Sequence, residues 1–167
     1  MDSILTLNAA TRATIARFGA EQTVLFLELL RSLDLPSRVS RFGHQASDAS
    51  VETYVKGALS AATFTAGAFV EGKLVGVVEV FETRADATAE VALAVHADWR
   101  RRGFASALLD SVKRWAEASG VRVLRMVISP SNTPMRRLAE RAGASIDVAC
   151  DEICAEIAVA VSDDMAA

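Results

Sequence analysis

Three consecutive arginines, Arg100, Arg101 and Arg102, run into Gly103, and a second small residue, Ala105, follows after Phe104. The five residues Val91-Ala92-Leu93-Ala94-Val95 upstream read as a short apolar strand, and an amphipathic helical pattern begins directly downstream. A strand, a basic turn with glycine and a helix N-terminus together can hold a diphosphate. The first N–H groups of a helix lack internal partners and point outward, and the helix dipole adds roughly half a positive charge there. Gly103 and Ala105 leave room for a phosphate oxygen to approach the backbone. The backbone from Arg101 to Ser106, with the arginine side chains around it, is therefore the candidate anion site. Two other phosphate loops are excluded: the chain has no Gly-x-x-x-x-Gly-Lys-Ser/Thr, and no Gly-x-Gly-x-x-Gly followed by an acidic residue.

The elements that must carry this turn are legible in outline. Residues 4–7 and 14–18 read as strands of a hairpin, and a Leu-rich helix over 21–33 is closed by Pro36. Residues 37–44 read as an irregular linker. Val51, Tyr54, Val55, Ala58 and Leu59 form a buried helical stripe with Asp48 or Ser50 as its cap. Strands over 62–70 and 74–81 flank the turn Glu71-Gly72-Lys73, and a polar loop leads to the strand over 89–95. After the arginines, Phe104, Leu108, Leu109, Val112, Trp115 and Ala116 form the inner face of a helix that Gly120 terminates. A strand over 121–128 precedes a short helix with Asn132 or Thr133 as cap and Pro134 in its first turn. Two strands near 145–150 and 153–161 and a loose tail, 162–167, complete the chain.

At 167 residues and 51% hydrophobic composition the chain is expected to be one domain with a substantial core. A net charge of −3 argues against nucleic acid as the main partner, so the arginine cluster suits a small anionic ligand. No leader-like N-terminus and no apolar run of spanning length are present, which leads to the expectation of a cytoplasmic protein without a membrane partner. Cys150 and Cys154, without a neighbouring histidine, are too few for a zinc site and are expected to be reduced packing thiols; no metal is expected.

The spacing Arg-x-x-Gly-x-Ala at 100–105 resembles the acetyl-CoA signature of the GCN5-related N-acetyltransferases, and the order of elements is that of their fold. The resemblance is sharpest to the branch of protein lysine acetyltransferases that modify acyl-CoA synthetases. That branch has Ala-Glu at a strand start ten residues before the signature, as Ala89-Glu90 stands before Arg100. It also has Asn-x-x-Met at the next helix, matching Asn132 and Met135, and an upstream Ser-x-x-x-Arg-Phe, matching Ser37 and Arg41-Phe42. What the resemblance implies is a single α/β (α+β) domain over 1–167, with a mixed, mostly antiparallel sheet of about seven strands flanked by four helices. The tyrosine that many members carry on the short helix falls at Ala139, and Tyr54 is the only tyrosine of the chain.

The implied activity is acetyl transfer from acetyl-CoA to a primary amine, with a protein lysine as the expected acceptor and a monomer or homodimer as the expected state. A lysine of pKa 10.4 lies about three units from neutrality near pH 7.4, which costs roughly 4 kcal/mol, so a base is needed. Glu90, at a strand start between apolar neighbours, is the candidate, with Glu79 and Glu82 as second choices. The strand edge Leu93, Ala94 and Val95 is expected to hold the pantetheine arm and to supply an oxyanion donor, and Asn132 to bond the cofactor, cap its helix, or both. His96 and His44 read as turn or surface residues, and Arg38 and Arg41 as salt-bridge partners, with the lining of a substrate cleft as the alternative. Two alternatives stay open: a small-molecule amine as acceptor, and a non-catalytic acyl-CoA-binding regulatory domain.

Overall fold

The computed structural model describes residues 3–6, 12–83, 86–149 and 151–160; the expected loose tail 162–167 and Cys150 lie outside them. Among the described residues, eight strands form one sheet in the order β1-β2-β3-β4-β5-β6-β8-β7. They are β1 (Ser3–Thr6), β2 (Arg12–Arg17), β3 (Phe64–Val70), β4 (Lys73–Thr83), β5 (Thr88–Val95), β6 (Val123–Ile128), β7 (Ser145–Ala149) and β8 (Glu152–Ala158). Five α-helices accompany them: α1 (Thr23–Arg31), α2 (Leu35–Phe42), α3 (Asp48–Ala61), α4 (Phe104–Ser119) and α5 (Thr133–Arg141). Every neighbouring pair is antiparallel except β5 and β6.

β3 and β4 are buried along almost their whole length, because helices cover both faces of the sheet centre. On one face Phe104, Leu108, Leu109 and Val112 of α4 pack against Val75, Val78, Val80 and Val91. On the other, Phe26 and Leu30 of α1 and Val51 and Val55 of α3 pack against Leu74, Val77 and Ala94. Gly76 leaves little room under α4: a Cβ there would meet Leu108 Cδ1 and Val95 Cγ2 at 3.2 Å and the Ala94 carbonyl at 3.3 Å.

The fifth helix is α2, which occupies the segment the sequence reading treats as an irregular linker. Pro36 closes nothing; it sits in the first turn of α2, where a missing N–H is harmless. Asp34 supplies the N-cap by accepting the Ser37 N–H at 2.9 Å, and Gly43 ends the helix at φ 76°. The cap of α3 is Ser47, one position before Asp48, accepting the Ser50 N–H at 3.1 Å. Gly120 and Asn132 act as the expected terminator of α4 and cap of α5.

One feature of the sheet positions the site. β5 and β6 pair only at Thr88↔Val123, Ala89↔Leu124 and Glu90↔Arg125. Beyond Glu90, β5 stays with β4 to Val95 while β6 follows β8 to Ile128. The strands therefore part, and the edge of β5 from Val91 onward faces a wedge.

Leu108 is fully buried where α4 crosses the sheet, so Leu108→Ala is expected to lower unfolding stability by about 2–5 kcal/mol. Val24→Ala, on a side chain 67% exposed, is expected to change it by under about 0.5 kcal/mol. Denaturant unfolding of the two variants checks the assignment of α4 as the core helix.

Candidate active site

The turn between β5 and α4 is held in an unusual backbone path. A short 3₁₀ turn, Ala97–Trp99, follows β5, with His96 Nδ1 accepting the Asp98 N–H at 3.3 Å, so His96 is a turn residue as expected. Arg101 then adopts φ 60° and Gly103 φ 88°, conformations that L side chains seldom hold. Gly103 is the N-cap of α4 and no side chain caps that helix; the first helical bond runs from the Ala107 N–H to the Gly103 carbonyl at 3.0 Å. The N–H groups of the first turn are thus left for a ligand. Nothing lies within 4 Å of where a Cβ on Gly103 would stand.

These groups face a cleft of about 830 Å³. Of the sequence-predicted residues, Leu93, Ala94, Val95, Arg100, Arg101, Gly103, Phe104, Ala105, Ser106 and Asn132 line it. The three arginines divide. Arg100 is engaged within the protein: its Nη2 donates to Ser37 and lies 3.2 Å from Asp34 Oδ2, and its Nε donates to the Val95 carbonyl at 3.2 Å. Hydrogen bonding to Ser37 holds the Asp34 carboxyl below its ordinary range, and the Arg100 charge adds to this. The Arg102 guanidinium lies over the Trp99 ring, 4.8 Å from its centroid, and does not line the cleft. Arg101 does line it, as does Arg141 at the end of α5, which the sequence reading missed.

A second cavity of about 290 Å³ lies in the wedge between β5 and β6. Its walls include Tyr54, Phe81, Glu90, Arg125, Met126 and Val127, and it shares Ser40, Arg41, Leu93, Asn132 and Met135 with the larger cleft. The two cavities meet at the edge of β5. Glu90 stands exposed on the smaller cavity, so the apolar enclosure that suggested it as a base is absent from its surroundings. Arg125 is joined to Glu156, Nε to Oε1 at 2.8 Å. Asn132 does two things at once: its Oδ1 accepts the Met135 N–H at 3.2 Å, and its Nδ2 donates to Ser40 Oγ at 2.6 Å. Ala139, where the family's tyrosine would fall, is wholly buried in the core.

Behind the junction lies a polar cluster that sequence reasoning only touched. Glu79 on β4 is fully buried and accepts a bond from Arg41 Nη2 and another from the Tyr54 hydroxyl at 3.0 Å. Arg41 Nη2 also donates to the Tyr54 oxygen at 2.6 Å, while its Nε is buried without a partner. Burial pushes the Glu79 carboxyl up, against the pull of the Arg41 charge. Burial likewise pushes the Tyr54 hydroxyl up to about 12. The signal available in the sequence was one carboxylate inside the apolar run Val77-Val78-Glu79-Val80. Arg38, by contrast, is only structural, paired with Asp48 at 2.7 Å. Cys154 on β8 is a free, half-buried thiol, and among the described residues no His, Cys, Asp and Glu group could hold a metal. No helix among the described residues is long and apolar enough to cross a membrane.

A β-sheet with a parted parallel pair, an uncapped helix N-terminus at the wedge and a cleft between them make up the site. The model of the acetyltransferase (GNAT) family matches residues 27–144, and the chain belongs to that family. It is thus an N-acetyltransferase with acetyl-CoA as cosubstrate. Comparison with curated proteins by sequence gives no match. Among solved structures, the GNAT domain of S. lividans PAT is similar at a TM-score of 0.80 and 19% identity, covering 95% of this chain and 97% of that one. The ribosomal-protein-S18-alanine N-acetyltransferase of Escherichia coli is similar at 0.70 and 16%, covering 92% and 97%. The PaiA N-acetyltransferase of Thermoplasma acidophilum, solved in complex with coenzyme A, is similar at 0.68 and 15%, covering 87% and 98%. At these identities the likeness is one of fold.

Tyr54 is the only tyrosine, so near-ultraviolet absorbance titrates it alone. The expected midpoint is about 12. An unfolded tyrosine ionises near 10, so the unfolded chain sheds this proton first and stability falls as pH rises from about 10 toward the folded value. A midpoint near 10 in the folded protein would contradict the buried cluster.

Proposed function

We propose that the protein transfers the acetyl group of acetyl-CoA to the side-chain amine of a protein lysine by direct attack, with Glu90 as the general base. The observation that carries this reading is the meeting of two cavities at the free edge of β5, one fitted to the cosubstrate and the other presenting a carboxylate.

On the cosubstrate side, the N–H groups of Phe104, Ala105 and Ser106 are aimed at a diphosphate, and Arg101 and Arg141 add positive charge at the same wall. The open space over Gly103 suits close approach of phosphate to backbone. The edge Leu93–Val95 can bond the pantetheine arm as a neighbouring strand would, and an N–H of that edge can stabilise the developing oxyanion. Bound acetyl-CoA supplies a reactive thioester whose thiolate leaves with little help, since a thiol has a pKa near 8.5. A tyrosine general acid on α5 is therefore dispensable.

On the acceptor side, the charges favour an ammonium group. Arg41 is neutralised by Glu79 and Arg125 by Glu156, whereas Glu90 has no ion-pair partner among the described residues. Phe81, Met126 and Val127 give apolar walls along which the methylenes of a lysine can lie. Glu90 takes the proton from the ammonium, directly or through one water, and the free amine attacks the thioester carbon at the junction. The motif resemblance of Ala89-Glu90, Ser37/Arg41-Phe42 and Asn132/Met135 to the lysine-modifying branch supports the choice of acceptor.

Acetyl-CoA at a hundredfold excess over its Kd is expected to stabilise the protein by about 2.7 kcal/mol, a rise in Tm of roughly 5–10 °C. Gly103→Glu, which sets a carboxylate against the diphosphate, is expected to abolish that rise. Glu90→Gln is expected to keep it and to slow transfer to a lysine peptide by about 10²–10⁴-fold, measured by thiol release and by mass spectrometry of the peptide. Release of thiol with polyamines or aminoglycosides alone would move the acceptor to small amines. Binding without turnover on any amine would leave a regulatory acyl-CoA-binding domain.

A further inference from the structure

α2 forms one wall of both cavities, yet none of its eight residues is buried. Apolar burial, the usual means of seating a helix on a sheet, reaches it mainly through its last residue, Phe42, half-buried against the core of α1 and α3. It is tied down by polar bonds: Arg38 reaches Asp48 and the Ala46 and Arg31 carbonyls, and a second set comes from the side that lines the cavities. Ser37 and Arg41 are one helical turn apart and Ser40 lies beside them, so the three share a side of the helix. Ser37 receives Arg100 of the cosubstrate turn, Ser40 receives Asn132 at the start of α5, and Arg41 reaches Glu79 on β4 and Tyr54 on α3. The Ser-x-x-x-Arg spacing thereby acquires a physical meaning: it links the cosubstrate turn to the centre of the sheet through one helix face.

Of the three ties, the last is unlike the others. Arg100 and Asp34 are each about two-fifths exposed, and their pairing is open to exchange with water. Glu79 has no exposure and the Arg41 side chain only 9%, so neither can leave the other without stranding a charge in the interior. The bond is directional as well, because one guanidinium nitrogen serves both the carboxylate and the Tyr54 hydroxyl. Arg41 also lines both cavities at the point where they join.

Resting on the acyl-transfer reading above, we infer that Arg41, Glu79 and Tyr54 are positioning residues for acetyl transfer: they pin the inner face of α2 at the junction of the two cavities and so set how the amine meets the thioester. They touch neither reacting atom in this account. Their effect passes through the place of α2, where a displacement of an ångström is enough to misalign attack.

The test is to replace the whole cluster by apolar side chains, Arg41→Met, Glu79→Leu and Tyr54→Phe together. Apolar replacement of a buried ionic cluster commonly preserves stability, so Tm is expected to stay within a few degrees of the parent's. Acetyl-CoA affinity by calorimetry is expected to be unchanged. Amide hydrogen exchange over residues 35–42 is expected to quicken by at least about tenfold. For transfer to a lysine peptide, kcat is expected to fall about a hundredfold. A variant of parental stability that keeps both the exchange protection of α2 and the parental kcat would overturn the inference, because the cluster would then be structural only. Should the triple variant not fold, Arg41→Lys retains a cation for Glu79 without the guanidinium fork, and the same readouts are expected to move in the same directions. If the parent protein transfers acetyl to no amine, the acyl-transfer reading fails on its own account. The exchange measurement then decides whether the cluster pins α2.

Discussion

The chemistry of this fold depends on a pairing that stops. β5 and β6 are parallel neighbours for three residues, after which each keeps its other partner and loses this one. Backbone N–H and C=O groups left unpaired inside a protein are costly, so a strand edge facing a wedge is a standing demand for a hydrogen-bonding ligand. Within the protein itself Arg100 meets part of that demand by donating to the Val95 carbonyl. The remainder of the edge is what an amide-bearing, extended cosubstrate can complete. The same parting brings α4's uncapped N-terminus and the smaller cavity to one place, because β5 leads directly into the turn and β6 forms the far wall.

Charge is partitioned along that wedge. Three arginines near it are matched by carboxylates: Arg100 by Asp34, Arg41 by Glu79 and Arg125 by Glu156. Among the described residues lining the two cavities, the charges without an opposite partner are cationic in the larger, at Arg101 and Arg141, and anionic in the smaller, at Glu90. On the proposed reading, a diphosphate and an ammonium group are drawn to opposite ends of one passage. A net charge of −3 spread over the chain would not reveal this, since the separation is local.

The parts of the fold that were legible in the sequence are those written in local chemistry. The turn Glu71-Gly72 has both residues at positive φ, 50° and 79°, as a tight hairpin requires, and the stripe Phe104, Leu108, Leu109 and Val112 is the buried face of α4. The strand-turn-helix at Arg100 was legible for the same reason: glycine and the apolar pattern act over a few residues. α2 was misread because Pro36 is ambiguous by itself. A proline can end one helix or start another, and only the Asp34 cap and Gly43 terminator show that Pro36 starts one. The division of labour among the arginines was hidden because their partners lie far off in the chain; Ser37 is 63 residues from Arg100. Glu79 was visible as a carboxylate in an apolar strand, but its partner is 38 residues away, and only the packing of α2 and α3 on the sheet brings the two together.

A helix that walls an active site faces two opposed requirements. It must keep one register relative to the reacting atoms, yet it cannot be sealed to the sheet by a broad apolar face, because that face would fill the passage it encloses. Hydrophobic burial is non-directional, and it would hold α2 down without fixing its rotation. Directional bonds to a buried carboxylate fix rotation and height from a single side chain and leave the rest of the inner face free to line the cavities. The aromatic surroundings fit the same purpose: Phe42 and Phe26 meet the Tyr54 ring edge-on at 5.3 and 6.5 Å, and the Arg41 guanidinium lies over both Phe42 and Tyr54. These rings exclude water from the ion pair, which strengthens it, and they bring apolar packing onto α2 at its last residue, Phe42. The cluster thus places its desolvation cost deep in the sheet and its geometric effect at the junction where acetyl transfer is proposed to occur.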